Sequence, residues 1–514
     1  MYSVCMAFSK VYTITQTHLQ SQIITVEADV SKGLHHFSIV GLADKTVEES
    51  KERCSLALKH TGLRSPRASN EKILLSLSPA HIRKTGTVFD VAISIAYLLA
   101  SKQIKSDVSK RIFVGELSLD GEVKRVKGII PMIQKAIQEG YEEIIIPFEN
   151  SKEASVLAQN ITIIACKTLR GVIDHICGVH VLKKLAYYVS DENATTQLEI
   201  YFDQIKGNEL AKRALLVALS GGHNICLYGP PGTGKTMLAK AAACVLPKLS
   251  FKDQVELTSI YSLSHEYAYT LHVQPPFRAP HHSASYVSIV GGGKDIVPGE
   301  ITLSHKGILF LDEFPEFERR VIDSLRQPLE DRKVRIARAG SKIEFPCDFQ
   351  LICAMNPCPC GYLNTGIKEC SCALGQIQKY NKKISGPILD RIEMFVEVSK
   401  IAYEKLIDTH APQTDEHQKL KDTIAQMHDF QHANFAMLCG RMSTKQLSAH
   451  IHISKNIKEF YDTVAAQLQI SARSYTNILK VAFTISLIDN QKEILKEHIL
   501  EALSYRPQDK FMGV

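Results

Sequence analysis

Gly229-Pro230-Pro231-Gly232-Thr233-Gly234-Lys235-Thr236 fills every fixed position of a phosphate-binding loop. Its glycines let backbone N–H groups converge on phosphate oxygens, the Lys235 ammonium meets the β and γ phosphates, and the Thr236 hydroxyl is a ligand for Mg²⁺. That chemistry makes the chain nucleotide-driven, with ATP and Mg²⁺ as its cofactors. Downstream, Gly307-Ile308-Leu309-Phe310-Leu311-Asp312-Glu313 is an apolar run closed by two carboxylates. Asp312 is placed to orient hydrated Mg²⁺ and Glu313 to polarise the attacking water, an activation commonly worth about two to four orders of magnitude in rate. A third run, Phe349-Gln350-Leu351-Ile352-Cys353-Ala354-Met355-Asn356, ends in an amide suited to hold the γ-phosphate and the water in line. Alone, two acids after a strand make a solvated turn, and an Asn there is ordinary turn chemistry. Their order after the phosphate loop joins them into one hydrolytic set.

Such residues need a scaffold that brings strand ends together. Ile225-Cys226-Leu227-Tyr228 reads as a buried parallel strand entering the loop, and Met237-Leu238-Ala239-Lys240-Ala241-Ala242-Ala243 as a helix whose positive N-terminal end faces the phosphates. The carboxylates then stand at the C-terminal edge of a sheet, where open α/β sheets place their ligands. Strand-helix alternation continues from about 200 to 400. From about 402 the pattern is helical without strand signal, at 402–409, 415–432, 455–468 and 474–488. Residues 1–185 form another α/β region, with strands at 23–28, 73–77, 111–116 and 143–147, helices at 47–60, 90–100 and 129–139, and a turn at Asp120-Gly121. The polar stretch 190–197 reads as the linker.

A chain of 514 residues is long enough for about three domains, each with its own core. The formal net charge of +7, from 61 Lys+Arg against 54 Asp+Glu, permits an anionic polymer as partner without requiring one. No secretory leader and no membrane-length apolar run is read, so the thirteen cysteines are expected in a reducing cytoplasm as buried hydrophobes and free thiols.

Two further constellations stand out. The segment from Asp331 to Phe345 alternates, turns at Ala339-Gly340-Ser341 and alternates again, as a β-hairpin does. It carries Arg332, Lys333, Arg335, Arg338 and Lys342 against Asp331 and Glu344, and is either a phosphate grip or a solvated charged hairpin. Cys358-Pro359-Cys360-Gly361 and Cys370-Ser371-Cys372 set four thiols in two tight pairs. Four thiolates suit a structural Zn²⁺; reduced free cysteines remain the alternative, since a one-residue gap is less usual than two. The pair His281-His282 is not read as a metal site, because adjacent side chains diverge. His265-Glu266-Tyr267-Ala268-Tyr269 lacks the second histidine of a zinc-protease helix.

These motifs, followed by Ser385-Gly386-Pro387-Ile388-Leu389-Asp390-Arg391-Ile392 and Ser471-Ala472-Arg473-Ser474, resemble the magnesium-chelatase-like branch of the AAA+ ATPases. Over essentially its full length the chain resembles the ComM/YifB subfamily. That likeness rests on Phe277-Arg278-Ala279-Pro280-His281-His282, Gly291-Gly292-Gly293, Pro298-Gly299-Glu300-Ile301, Leu311-Asp312-Glu313-Phe314-Pro315-Glu316-Phe317 and Asn356-Pro357-Cys358-Pro359-Cys360-Gly361. The resemblance implies an ATP-hydrolysing ring, usually hexameric, with Arg391 as arginine finger to the neighbouring subunit and Arg473 as the sensor arginine of the lid. It implies an AAA+ core at 198–400, whose second helix holds an insertion over 277–305 with a flexible Gly291-Gly292-Gly293-Lys294 tip, and a helical lid at 401–514. It points the hairpin into a central pore, where Arg335, Arg338 and Lys342 would grip DNA, and Arg278, His281 and His282 also become candidates for a phosphate backbone. The family's activity, movement on branched DNA during natural transformation, makes a branch-migration helicase the leading expectation.

Gly115-Glu116-Leu117-Ser118-Leu119-Asp120-Gly121-Glu122-Val123 and Gly140-Tyr141-Glu142-Glu143-Ile144-Ile145-Ile146-Pro147 resemble the proteolytic domain of Lon-type proteases. The nucleophile's position falls on Val88, or at best on its neighbour Thr87, and the activating lysine's on Ile130, just beyond Lys127. Region 1–185 is thus expected to keep that fold without its Ser/Lys dyad. Rival functions are a protein-remodelling motor of magnesium-chelatase type, an ATP-dependent peptidase, and a nucleotide-gated scaffold.

Overall fold

The computed structural model describes residues 7–17, 20–68, 70–84, 86–187, 200–264, 271–293, 296–338, 341–366, 368–400 and 415–506. Two compact units divide the chain: Met1–Asn193 with Gln254–Leu271, and Ala194–Asp253 with His272–Val514.

A seven-stranded sheet forms the first unit, in the order His36–Val40, Glu71–Ser78, Gln20–Lys32, Ala7–Thr17, Arg111–Phe113, Glu143–Pro147, Thr162–Cys166. Ile24, Val26, Ala28 and Val30 turn inward at the two-residue period, as do Ile73, Leu75 and Leu77. Strands Arg111–Phe113, Glu143–Pro147 and Thr162–Cys166 pair in parallel, and the apolar helix Asp90–Ala100 is buried nearly all round. Several strands escape the sequence pattern. Ala7–Thr17 buries Ser9, Thr13 and Thr15 alongside Val11 and Ile14, so polar inward positions mask its alternation. The run expected as one strand over 111–116 is two, Arg111–Phe113 and Glu116–Leu117, interrupted at Gly115. A Cβ there would lie 2.7 Å from Val123 Cγ1.

The second unit is built on a five-stranded parallel sheet ordered Phe277–Arg278, Ile308–Leu311, Gln350–Met355, Ile225–Tyr228, Met394–Glu397. Ile225, Leu227, Ile308, Phe310, Ile352 and Ala354 face one core, while Cys226, Tyr228, Leu309, Leu311, Leu351 and Cys353 face another. Both faces are covered, which is why these strands read as unbroken apolar runs. Helices Glu416–Phe435, Lys455–Gln467 and Ala472–Ile488 follow the sequence expectation closely, and Lys496–Ser504 adds one that the sequence reading does not single out. Ile424, Tyr461, Val481, Ile485 and Ile499 share the first core with the sheet. His223 and Thr484, both buried and 2.8 Å apart, add a polar tie between the sheet side and the helices. The helix expected over 402–409 lies outside the described residues.

Candidate active site

The phosphate loop leaves the strand Ile225–Tyr228 and enters the helix Lys235–Cys244. Gly229 has no room for a side chain, since a Cβ would stand 2.2 Å from the Val398 carbonyl oxygen. Gly232 and Gly234 adopt φ of +74° and +88° with open space where a Cβ would point, leaving the concave side of the loop to a ligand. Thr233 Oγ1 closes the turn by donating to the Pro230 carbonyl at 3.0 Å.

Lys235 Nζ spans this loop, donating to the carbonyl oxygens of Gly229 at 2.7 Å and Pro230 at 2.8 Å and to Asn356 Oδ1 at 3.2 Å. Burial pushes its ammonium down to about 8, against the opposing pull of Asp312. Thr236 Oγ1 donates to Asp312 Oδ2 at 2.7 Å. The backbone N–H of Glu313 donates to Asp312 Oδ1 at 2.9 Å, and Glu313 itself sits at φ +51°. This left-handed conformation is unusual for a residue with a side chain and is found where surrounding structure enforces it. The three sequence motifs therefore meet at one sheet edge. A hydroxyl and a carboxylate stand together at this edge, beside an ammonium and the glycine-lined loop, a donor set that fits Mg²⁺ and a nucleotide.

Two contacts were not readable beforehand. His282 Nδ1 lies 3.2 Å from Glu313 Oε2, so one of the paired histidines attends the candidate base. Arg278 forks onto Glu300 at 2.7 and 2.8 Å, which commits it to the protein. The glycines of the insertion pair as Gly291–Gly292 with Val297–Pro298, and Lys294 lies outside the described residues.

Arg391 and Arg473 converge on a single carboxylate, Glu330. Arg391 Nη2 donates to Glu330 Oε2 and its Nη1 to the Pro387 carbonyl at 2.5 Å; Arg473 Nη1 lies 3.7 Å from Glu330 Oε1. Glu330 belongs to Arg326–Asp331, the helix immediately before the hairpin, and no sequence motif signals its role. Arg391 Nε is buried without a hydrogen-bond partner among the described residues.

The hairpin pairs Lys333–Arg338 antiparallel with Ser341–Pro346, placing Arg335 opposite Glu344. Lys333, Arg335 and Glu344 are exposed, and Glu344 neutralises both bases, at 2.5 Å from Lys333 Nζ and 3.0 Å from Arg335 Nε. Arg332 departs from the expected basic face. At φ +58° it turns inward, donating to the Phe349 carbonyl at 3.3 Å, and burial pushes its guanidinium down to about 10. The side chains of Arg338 and Lys342 lie outside the described residues.

The four clustered thiols are brought together: the ligand atoms of Cys358, Cys360, Cys370 and Cys372 all lie within 4.8 Å of one another. In the first unit, Val88 and Ile130 are buried apolar side chains. Thr87 Oγ1 donates to Glu116, and Arg53 grips Asp90 at 2.7 and 3.0 Å. Val88 and Ile130, where the sequence reading sets a Lon-type dyad, are hydrocarbon, while Thr87, the neighbouring position it also allows, keeps its hydroxyl on Glu116.

Three family models match the chain: magnesium chelatase subunit ChlI over residues 201–406, subunit ChlI of Mg-chelatase over 26–150, and the ChlI C-terminal region over 414–506. Competence protein ComM of Haemophilus influenzae is 36% identical, covering 98% of both chains. An uncharacterized protein YifB of Salmonella typhimurium is 35% identical over 99% of this chain and 98% of its own. Lon protease 2 of Bacillus subtilis is 36% identical over 31% of this chain and 33% of its own length. No helix among the described residues is long and apolar enough to cross a membrane. With its phosphate-loop sheet, helical C-terminal region and Lon-like α/β fold, the chain belongs to the ComM/YifB family of magnesium-chelatase-like AAA+ ATPases.

Proposed function

We propose that this AAA+ ATPase works as a homo-oligomeric ring, most simply a hexamer, that moves branch points in DNA as a ComM-type helicase of recombination and natural transformation in the cytoplasm. The observation that carries the hydrolytic half is the convergence of Lys235 with Asn356 and of Thr236 with Asp312 at one sheet edge. Lys235, with the N–H groups around Gly232 and Gly234, holds the phosphates, and Thr236 and Asp312 hold Mg²⁺. An Mg²⁺ held by these two residues would supply positive charge against the negative charge that develops on the phosphate oxygens. Glu313 polarises the attacking water, and Asn356 keeps water and γ-phosphate in line. Arg391 supplies positive charge to the neighbouring subunit's γ-phosphate, an effect worth about 10³ to 10⁵ in rate when a finger acts in trans. Arg473 completes that charge from the lid.

The exposed Lys333 and Arg335 support the DNA half: together with Arg338 and Lys342, which the sequence sets nearer the turn, they would meet phosphates without reading bases. The similarity to ComM, a competence protein, supports the same direction. ATPase rates measured with single-stranded, duplex, forked and four-way DNA test it. Stimulation greatest with branched DNA is expected, and a rate indifferent to all four overturns the reading. Glu344 favours a second reading, a protein-remodelling motor of magnesium-chelatase type, because it offsets two of the bases. A peptidase is disfavoured by Val88 and Ile130.

A further inference from the structure

We infer that Cys358, Cys360, Cys370 and Cys372 bind one Zn²⁺ as a closed tetrahedral thiolate centre, and that this centre braces the phosphate loop. The sulfur spacings are those of a mononuclear site. Cys358 and Cys360 stand 3.3 Å apart, Cys358 and Cys370 3.6 Å, Cys360 and Cys370 3.5 Å. A tetrahedron with Zn–S of about 2.3 Å has edges of about 3.8 Å, so small outward shifts seat the ion. Soft thiolates select Zn²⁺ over Mg²⁺ or Ca²⁺, and four protein ligands leave no open position for catalysis. The backbone N–H of Cys360 already donates to Cys372 Sγ at 3.3 Å, the outer-shell support that thiolate ligands use.

Two independent features say what such a centre does. Among the described residues between Met355 and Leu374 there is neither helix nor strand, so the segment lacks a backbone ladder to hold it. Yet it packs on the nucleotide site. Cys358 follows Asn356 by two residues, the turn from Cys358 closes through Gly361 N–H to the Cys358 carbonyl at 2.9 Å, and a Cβ on Gly361 would lie 2.6 Å from Pro231 Cδ. Metal at the thiols fixes the turn, and the turn presses on Pro231 and positions Asn356. The bracing role rests on the nucleotide-site reading, whereas metal binding does not.

The test uses the full chain purified without chelator. Metal content is measured by plasma mass spectrometry, Co²⁺ is titrated for its thiolate charge-transfer band, and affinity for a fluorescent ATP analogue is measured before and after stripping with a mercurial reagent plus chelator. About one Zn²⁺ per chain is expected, lost in the Cys370→Ser/Cys372→Ser variant, with nucleotide affinity falling about tenfold on stripping and returning when Zn²⁺ is restored. Parent protein that holds no metal and gives no Co²⁺ thiolate band overturns the site, whether or not the double variant folds. Nucleotide affinity unmoved by stripping overturns the brace. Metal content is read without nucleotide, so its outcome stands apart from any failure of the ATPase reading.

Discussion

Glu344→Gln should strengthen DNA binding and make it more salt-sensitive. Glu344 is the acid directly opposite Arg335 in the hairpin, and its carboxylate holds Lys333 and Arg335 together. The amide keeps the strand register and the size of the side chain while releasing both bases. Arg335 retains a looser contact with Asp331 at 3.7 Å, so one to two positive charges become available to phosphates. Each new phosphate contact steepens the logarithmic salt slope for duplex DNA by about 0.9, so the slope should steepen by about 0.9 to 1.8. Over a fourfold rise in salt, from about 50 to 200 mM, the variant should lose about 3- to 12-fold more affinity than the parent. Fluorescence-anisotropy titrations across that range read the slope, and ATP turnover without DNA should stay at the parent value, since Glu344 lies outside the catalytic set. A folded variant whose slope matches the parent's would show that the hairpin does not meet phosphates, and the protein-remodelling reading would gain.

Other outcomes follow from the ATP site. Lys235→Ala should abolish nucleotide binding, whereas Glu313→Gln should bind nearly as the parent and fail to hydrolyse; parent-rate turnover by the latter would unseat Glu313. The depressed Lys235 value makes binding proton-linked: bound phosphates favour the charged amine, so affinity should fall as pH rises from about 8 towards 10.5, with proton uptake in that window. Calorimetry in buffers of different ionisation enthalpy measures the uptake, and a pH-independent affinity would refute the linkage. Arg391→Ala should bind ATP yet turn it over roughly a thousandfold more slowly or worse. Mixed with Glu313→Gln it should regain partial activity, because each intact site can then receive an intact arginine; a mixture no better than its parts would argue against action in trans.

Much of the ATP site was legible because its parts are short, fixed in spacing and carried on strands buried on both faces. Lys235, Thr236, Asp312 and Asn356 met as the motif order required. Glu330 was invisible for the opposite reason. It is one acid in a short helix, and its meaning comes from Arg391 and Arg473, brought to it by a separate loop and by the helix Ala472–Ile488. The sequence offers His282 as a contact for a phosphate backbone, and only the fold shows it beside Glu313. Arg332 reads as a hairpin base in the sequence, whereas its left-handed backbone turns it inward. In the first unit, the strand Ala7–Thr17 was hidden because its inward Thr13 and Thr15 break the apolar alternation on which strand reading depends. The cysteine spacing was visible, but not that Gly361 presses the same segment onto Pro231.

Branch migration of a synthetic four-way junction tests the central claim most directly. With ATP and Mg²⁺, the parent protein should convert the junction into paired duplex products, while Glu313→Gln should bind the junction and leave it intact. A parent protein that hydrolyses ATP at full rate in the presence of the junction yet never moves it would contradict the account.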